Sequence, residues 1–336
     1  MWLLRFIIRR LIYLIPVLFG VTVLVFIISH AIPGDPARML AGDKASEEAV
    51  AKIRRDFGLD RSLPVQYVRY VKDLLQGHLG TSIRTTRPVI ADLRDFFPAT
   101  LELTLVSMFL CLLVGIPLGV LAAVRRNRLT DHVSRVFSVF GLSMPVFWLG
   151  LMLLLIFYRN LGWLPGSGRL GVTMDAPTQV TGLYLVDALI HGQWRIFLDS
   201  LMHIILPAFC LSYVYLAIIT RIVRSSMIAV LGQDYIITAR ANGLSEKVVV
   251  LKHALKNSLI PTVTIAGLSV GELLGGAILT ETIFAWPGMG KYVIDSVNFL
   301  DFPAIMGFTL IVSLAYVLIN LTVDIIYAFI NPRIRY

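Results

Sequence analysis

"DYIITARANGLSEKVVVLKHALKNSLIP", residues 234–261, lies between two long apolar runs and carries Arg240, Lys247, Lys252 and Lys256. Its pattern is that of two short helices around a glycine. Asp234 can cap a helix over 235–242, and Ser245 can cap a second with Val248, Leu251, Leu255 and Leu259 on one face. Gly243 suits the left-handed turn between them. The small residues Ala239 and Ala241 would let another surface approach. Two readings follow: a knob that docks into a partner, or a basic hairpin lying on anionic lipid. Residue pattern alone leaves both open.

Composition explains why a membrane enters either reading. Of the 336 residues, 57% are hydrophobic and 15% charged, with mean hydropathy +0.79. Soluble domains carry about a quarter charged residues. The net charge of +9 therefore points to loops on the cytoplasmic face of a membrane rather than to nucleic acid. The two cysteines, Cys111 and Cys210, fall inside apolar segments and predict no disulfide.

A helix crossing the hydrocarbon core needs about 20 apolar residues. Six segments qualify: 9–29, 99–124, 134–158, 200–222, 260–284 and 304–329. The first could be a cleaved leader, since Arg9 and Arg10 precede an apolar run ending Ser29-His30-Ala31. That run exceeds the roughly 7–15 residues of a leader's apolar region, so it reads as a span. One side of the membrane then receives Arg5, Arg9, Arg10, Arg125, Arg126, Arg128, Arg135, the basic residues from Arg221 to Lys256, and Arg333 with Arg335. The acids there are Asp131, Asp234 and Glu246. Basic excess in short loops marks the cytoplasm, so both termini and the opening stretch are expected there.

Residues 30–98 are expected outside. Ser46 can cap a helix with Val50, Ile53 and Phe57 on one face, ended by Gly58; Pro64 can start a second, stopped at Gly77; Pro88 can open a third with Val89, Leu93 and Phe96 in register. These amphipathic pieces predict a small outer cap or a solvated insertion. The loop 159–199 offers Trp163 and Trp194 as interface anchors.

Within the spans, Gly267, Gly271 and Gly275 recur every fourth residue, as do Gly115 and Gly119, a spacing that lets helix backbones approach. Pro117, Pro145 and Pro207 are expected to interrupt spans. Glu272, near the middle of the fifth span, should face protein or water rather than lipid, as a pathway residue or as a hydrogen-bonded packing residue. Glu102, Glu281 and Asp324 lie nearer span ends and read as structural. The six histidines, His30, His78, His132, His191, His203 and His253, show no metal-ligand spacing. No G-x-x-x-x-G-K-[ST] and no H-E-x-x-H occurs, and "PGSGRLG" at 165–171 falls on the expected outer face.

The hairpin's spacing resembles the cytoplasmic loop of ABC-transporter permeases, E-A-A-x-x-x-G followed nine residues later by I-x-L-P. Gly243 matches the glycine, while Ile237-Thr238-Ala239 replaces E-A-A, and His253 and Lys256 replace the isoleucine and proline. Those departures resemble the peptide-importer branch, the DppB/OppB family. So do "IPGDPA" at 32–37, "GLDRSLPVQYVRY" at 58–70, "FPATLELTL" at 97–105, "GLSMPVFWLG" at 141–150, "LGWLPGSGR" at 161–169, "LTETIFAWPGMGKYV" at 279–293 and "NPRIRY" at 331–336.

The resemblance implies an all-α type I ABC importer permease fold with six transmembrane helices in a bacterial inner membrane. Its parts would be a cytoplasmic N-terminus and first span (1–29), a periplasmic helical insertion (30–98), a five-helix core (99–329) containing the coupling loop 225–259, and a cytoplasmic tail (330–336). It implies a DppC-like second permease, DppD-like and DppF-like ATPases that use ATP and Mg, and a DppA-like periplasmic binding protein. Ala239, Arg240, Ala241, Gly243 and Leu244 would couple to the ATPases. The chain itself would bind no cofactor and catalyse nothing. Dipeptides are the expected cargo. Longer peptides, haem, glutathione or nickel are alternatives within the family. A proton-coupled transporter using Glu272, or an intramembrane hydrolase, are rivals outside it.

The charge asymmetry generates a topological prediction. A thiol at position 60 should react with an impermeant reagent from outside, and one at position 247 only after permeabilisation. The reverse pattern would invert the orientation.

Overall fold

Where no water reaches, backbone N–H and C=O groups must be satisfied within the segment, and helices do this locally. The computed structural model describes residues 2–31, 38, 45–56 and 60–330. Among them there is no strand, only an isolated antiparallel bridge between Thr81 and Pro88. The IPGDPA motif, the stop at Gly58, the position of Phe57 and the NPRIRY tail lie outside the described residues, as do the side chains of Ile53 and Asp324. Two compact units are present, Met1–Phe97 with Lys291–Val317, and Pro98–Gly290 with Leu318–Tyr336.

In the first unit, α1 (Trp2–Ala31) is followed by α2 (Glu47–Asp56) and α3 (Leu63–Leu75). Ser46 Oγ accepts a bond from Ala49 N at 3.3 Å, as expected of the cap. Pro64 stands in the first turn of α3, and Gly77 turns the chain at φ +80° after its end. Tyr67 joins α3 to α1 through Thr22 at 2.9 Å, with its ring edge-on to Phe26. The next helix, α4 (Val89–Val124), corrects one expectation. No separate amphipathic helix follows Pro88; its first turns, with Val89 and Leu93 buried, run straight through Pro98 into the apolar segment. Two buried carboxylates organise this region. Asp301 accepts from Ser82 Oγ at 2.5 Å and Arg84 N at 3.1 Å, and Asp92 accepts from Thr85 Oγ1 at 2.5 Å and Tyr292 Oη at 3.4 Å. Residues 79–96 are therefore packed and bonded, whereas α3 has no buried residue.

The second unit contains the rest of α4, α5 (Leu129–Ser143), α6 (Val146–Leu153), a π-helical turn (Leu154–Asn160), α7 (Tyr184–Ile190) and α8 (Trp194–Leu231). The 38-residue α8 is its axis: 67% of its most apolar window is buried. Small residues bring three helices against it. A Cβ on Gly119 of α4 would stand 2.6 Å from Val223, one on Gly141 of α5 would stand 3.0 Å from Ala217, and one on Gly150 of α6 would stand 3.3 Å from Cys210. The chain then forms α9 (Asp234–Ala241), α10 (Glu246–Val248), a π turn (Val249–Ala254), α11 (Leu255–Gly276) and α12 (Ile278–Ile283). After these come α13 (Met289–Asn298), whose first two residues belong to the second unit and the rest to the first, and α14 (Phe302–Ile330), which begins in the first unit and ends in the second.

Among the described residues, four helices are long and apolar enough to cross a membrane: Val89–Val124, Trp194–Leu231, Glu246–Gly275 and Phe302–Val323. Leu129–Ser143 with Val146–Asn160 makes a fifth if that pair, bent by 104°, is one span; Ile12–Ile28 within α1 is a shorter apolar stretch. Proline does less than expected. Pro117 and Pro207 sit inside unbroken helices, and only Pro145 marks a break. The glycine expectation holds at Gly115, Gly119 and Gly267, the last close against Val323, whereas Gly275 faces open space.

That contrast is testable. Gly119→Ala should lower thermal stability by about 1–3 kcal/mol through overpacking against α8. Gly275→Ala should not, because nothing lies within 4 Å of its added carbon. Equal melting temperatures for the two variants would remove the close-packing role from Gly119.

Candidate functional site

The hairpin over residues 234–254 is anchored by an inward apolar face. Ile236, Ala239, Val249, Val250 and Ala254 are buried in the same core as Val223 and Met227 of α8. The outer face leaves Ile237, Leu244, Val248 and Leu251 exposed. Of the residues singled out for coupling, Arg240, Ala241, Gly243 and Leu244 are exposed, whereas Ala239 is buried and packs into the core.

Local chemistry shapes the turn. Gly243 adopts φ +77°, and a Cβ there would meet nothing within 4 Å, so backbone conformation alone demands glycine. Gly243 N donates to Arg240 O at 2.9 Å and Leu244 N to Ala239 O at 3.3 Å, which satisfies the carbonyls at the end of α9. Two expected caps differ. Gln233, not Asp234, holds the N-cap position of α9, and Ser245 holds the next one without a side-chain bond. The second arm is also not a separate helix; it passes through the π turn into α11. One extra residue in a turn rotates the following face by roughly 100°. Val249 at the start of the turn and Ala254 at its end are both buried, as is Val250, whereas Val248 and Leu251, expected to share a face with Leu255 and Leu259, are exposed.

Charge at the tip is partly closed on itself. Arg240 donates to Glu246 through Nε at 2.6 Å and Nη2 at 3.3 Å. Lys247, Lys252 and Lys256 remain exposed. The arrangement presents a small, partly apolar tip with a basic flank.

Glu272 lies on a stripe of α11 that this chain leaves uncovered, with Leu268 and Gly275 and, beyond the helix, Leu279. Tyr215 Oη donates to its carboxylate at 3.3 Å. Leu273 and Leu274 beside it are buried. A carboxylate on an uncovered face of a span needs water or another protein surface. By contrast, the cavity of about 420 Å³ lined by Met108, Ile116, Val263, Val270 and Val323 is almost wholly apolar, a poor host for a charged cargo.

The other acids are structural, as expected, but their partners were not legible. Glu281 accepts from Thr100 Oγ1 at 2.6 Å and Gly290 N at 2.7 Å, and Gly288 leaves room for it. Trp286 Nε1 donates to Ala99 O at 2.9 Å. The ETIFAWPGMG stretch is thus a collar around one buried carboxylate. Glu102 pairs with Arg169 at 2.6 Å and accepts from Leu185 N at 2.7 Å. Arg169 also lies over the Tyr184 ring at 3.6 Å and donates to Gly182 O. Asp187 organises the adjoining loop through Val180 N, Thr181 N and Oγ1, and Gly182 N. Its burial raises the carboxyl pKa, but these donors prevail and hold it below the ordinary aspartate value. Arg169 stood in a quoted motif, yet nothing in the sequence named Glu102 as its partner. Among the described residues no cluster of metal-ligating side chains occurs.

Two family models, both describing the membrane component of binding-protein-dependent transport systems, match residues 3–104 and 115–336. The chain belongs to the binding-protein-dependent transport system inner membrane components. Similar proteins cover it almost end to end. The probable D,D-dipeptide transport system permease protein DdpB of Escherichia coli K12 is 56% identical over 96% of this chain and 94% of its own. The dipeptide transport system permease protein DppB of Alkalihalophilus pseudofirmus is 46% identical over 98% of each. The glutathione transport system permease protein GsiC of Salmonella paratyphi A is 43% identical over 99% of each. The all-α membrane reading and the family assignment from the quoted motifs therefore stand.

The tip's ion pair is solvent-exposed, which sets its energetic role in the permease. Arg240→Gln should change folding stability by no more than about 1 kcal/mol. Thermal denaturation of the purified protein checks this; a larger loss would make the pair a fold determinant rather than a surface contact.

Proposed function

We propose that this permease is one half of an ATP-driven importer that moves dipeptides from periplasm to cytoplasm. The observation that carries the cargo reading is the end-to-end similarity to permeases named for D,D-dipeptide and dipeptide transport. Glutathione is the second reading, supported by the similarity to a glutathione permease. The chain sits in the inner membrane with six spans and both termini cytoplasmic, a reading supported by the distribution of its lysines and arginines. A similar second permease completes the pathway, two ATPases supply nucleotide chemistry with ATP and Mg, and a periplasmic binding protein delivers cargo.

The hairpin seats in an ATPase groove. Arg240, Ala241, Gly243 and Leu244 form the contact, and Ala239 keeps the hairpin fixed to α8 from behind. ATPase closure then moves the hairpin and the helices continuous with it as rigid bodies, alternating access to the pathway. Glu272 faces that pathway or the second permease. Its exposure in the isolated chain and its bond to Tyr215 support this.

The test uses vesicles containing all subunits. Labelled dipeptide should enter on ATP addition, in preference to glutathione, haem or nickel. Gly243→Val, which forces a β-branched residue into a left-handed backbone, should reduce ATPase co-purification and stimulated turnover. Glu272→Gln should change uptake with assembly intact. Preferential uptake of glutathione would replace the cargo reading. Uptake that needs no ATPase but collapses with the proton gradient would replace the mechanism.

A further inference from the structure

Asp131, in the first turn of α5, is fully buried. Arg224 of α8 grips it with two prongs, Nε to Oδ1 at 2.5 Å and Nη2 to Oδ2 at 2.9 Å. Asn127 N adds a bond at 2.9 Å, from a backbone at φ +63°. Arg135 Nε lies 3.8 Å from the same carboxylate. A planar guanidinium on a carboxylate fixes both the separation and the rotation of the helices that carry them. Farther along the same helix pair, Gly141 packs on Ala217, and the Phe137 and Tyr213 rings meet edge-on at 5.6 Å. These latter contacts involve no hydrogen bond that must be broken and tolerate the small sliding by which packed helices shear. The two-pronged pair does not. Only seven residues, about 10 Å of helix, separate Arg224 from the end of α8 at Leu231, and Gly232 and Gln233 then lead into α9.

We propose that Asp131 and Arg224 are a positioning pair, a strut that makes α5 travel with α8. A displacement delivered at the hairpin then reaches the bent pair α5 and α6 rather than dissipating as slip between helices. This rests on the coupling role of the hairpin. Neither residue belongs to the hairpin, so the strut and the docking contact can be separated by experiment.

The complete transporter, reconstituted in liposomes with its ATPases, second permease and binding protein, is assayed with Asp131→Asn, Arg224→Gln, the double variant and Arg224→Lys. ATPase co-purification should stay at the wild-type level. Labelled dipeptide imported per ATP hydrolysed should fall about 2- to 30-fold in each single variant, the range that residues carrying coupling between sites produce. The double variant should be no worse than either single one, and Arg224→Lys should be intermediate. A second arm leaves the native pair in place. Gly141→Cys with Ala217→Cys, oxidised to a disulfide, should retain uptake, because helices that already move together tolerate a covalent tie. The same disulfide should restore uptake per ATP to Asp131→Asn. Wild-type uptake per ATP in the single variants would overturn the strut. So would loss of uptake on oxidation that returns on reduction, since the helices would then have to slide. Loss of ATPase association in Asp131→Asn would assign the pair to docking or folding instead. Wild-type ATPase association in Gly243→Val would refute the hairpin reading separately.

Discussion

The structure depends on a single constraint: in hydrocarbon, a backbone must satisfy its own hydrogen bonds, and every polar side chain must find a partner. The first half of the constraint makes the chain helical along its apolar length. It also removes much of the driving force that packs helices in water, since lipid tails are as apolar as leucine. Close approach must supply the attraction instead. Gly119, Gly141 and Gly150 provide it, each letting a different segment reach α8. The packing around α8 is therefore set by small residues on its neighbours as well as by its own sequence.

The second half of the constraint explains the acids. Glu102, Asp131 and Glu281 are buried, and each is held by donors from a distant part of the chain. Replacing such a pair by apolar residues could cost little, but removing one partner leaves an uncompensated charge. These pairs thus specify which helix sits against which more than they add stability. Glu272 differs because its stripe of α11 is uncovered within this chain. A carboxylate that the fold buries is satisfied by the fold; one left uncovered in a span needs water or another protein surface.

The hairpin joins these two themes. Its inner face belongs to the same core as α8, and its outer tip is turned by a left-handed glycine beside an Arg240–Glu246 ion pair. Because its second arm continues through the π turn into α11, the tip and the helix bearing Glu272 are one continuous element.

The sequence by itself determined what depends on local or periodic properties. Apolar run length placed the long helices, the φ demand at Gly243 placed the hairpin turn, the Ser46 and Pro64 signals placed two helix starts, and the quoted motifs identified the family. It did not determine where helices continue. Pro98 and the charged arm of the hairpin look like boundaries between separate helices, yet α4 is helical from Val89 through Pro98 to Val124 and the arm from Glu246 is helical into α11, since packing around a segment outweighs local propensity. Nor did it show the π turn within that arm. The partners of the buried acids were equally hidden. Glu102 and Arg169 are 67 residues apart, and Asp131 and Arg224 are 93 apart. Such pairs leave no period in the sequence, and only the tertiary structure, by bringing two helices within hydrogen-bond reach, decided them.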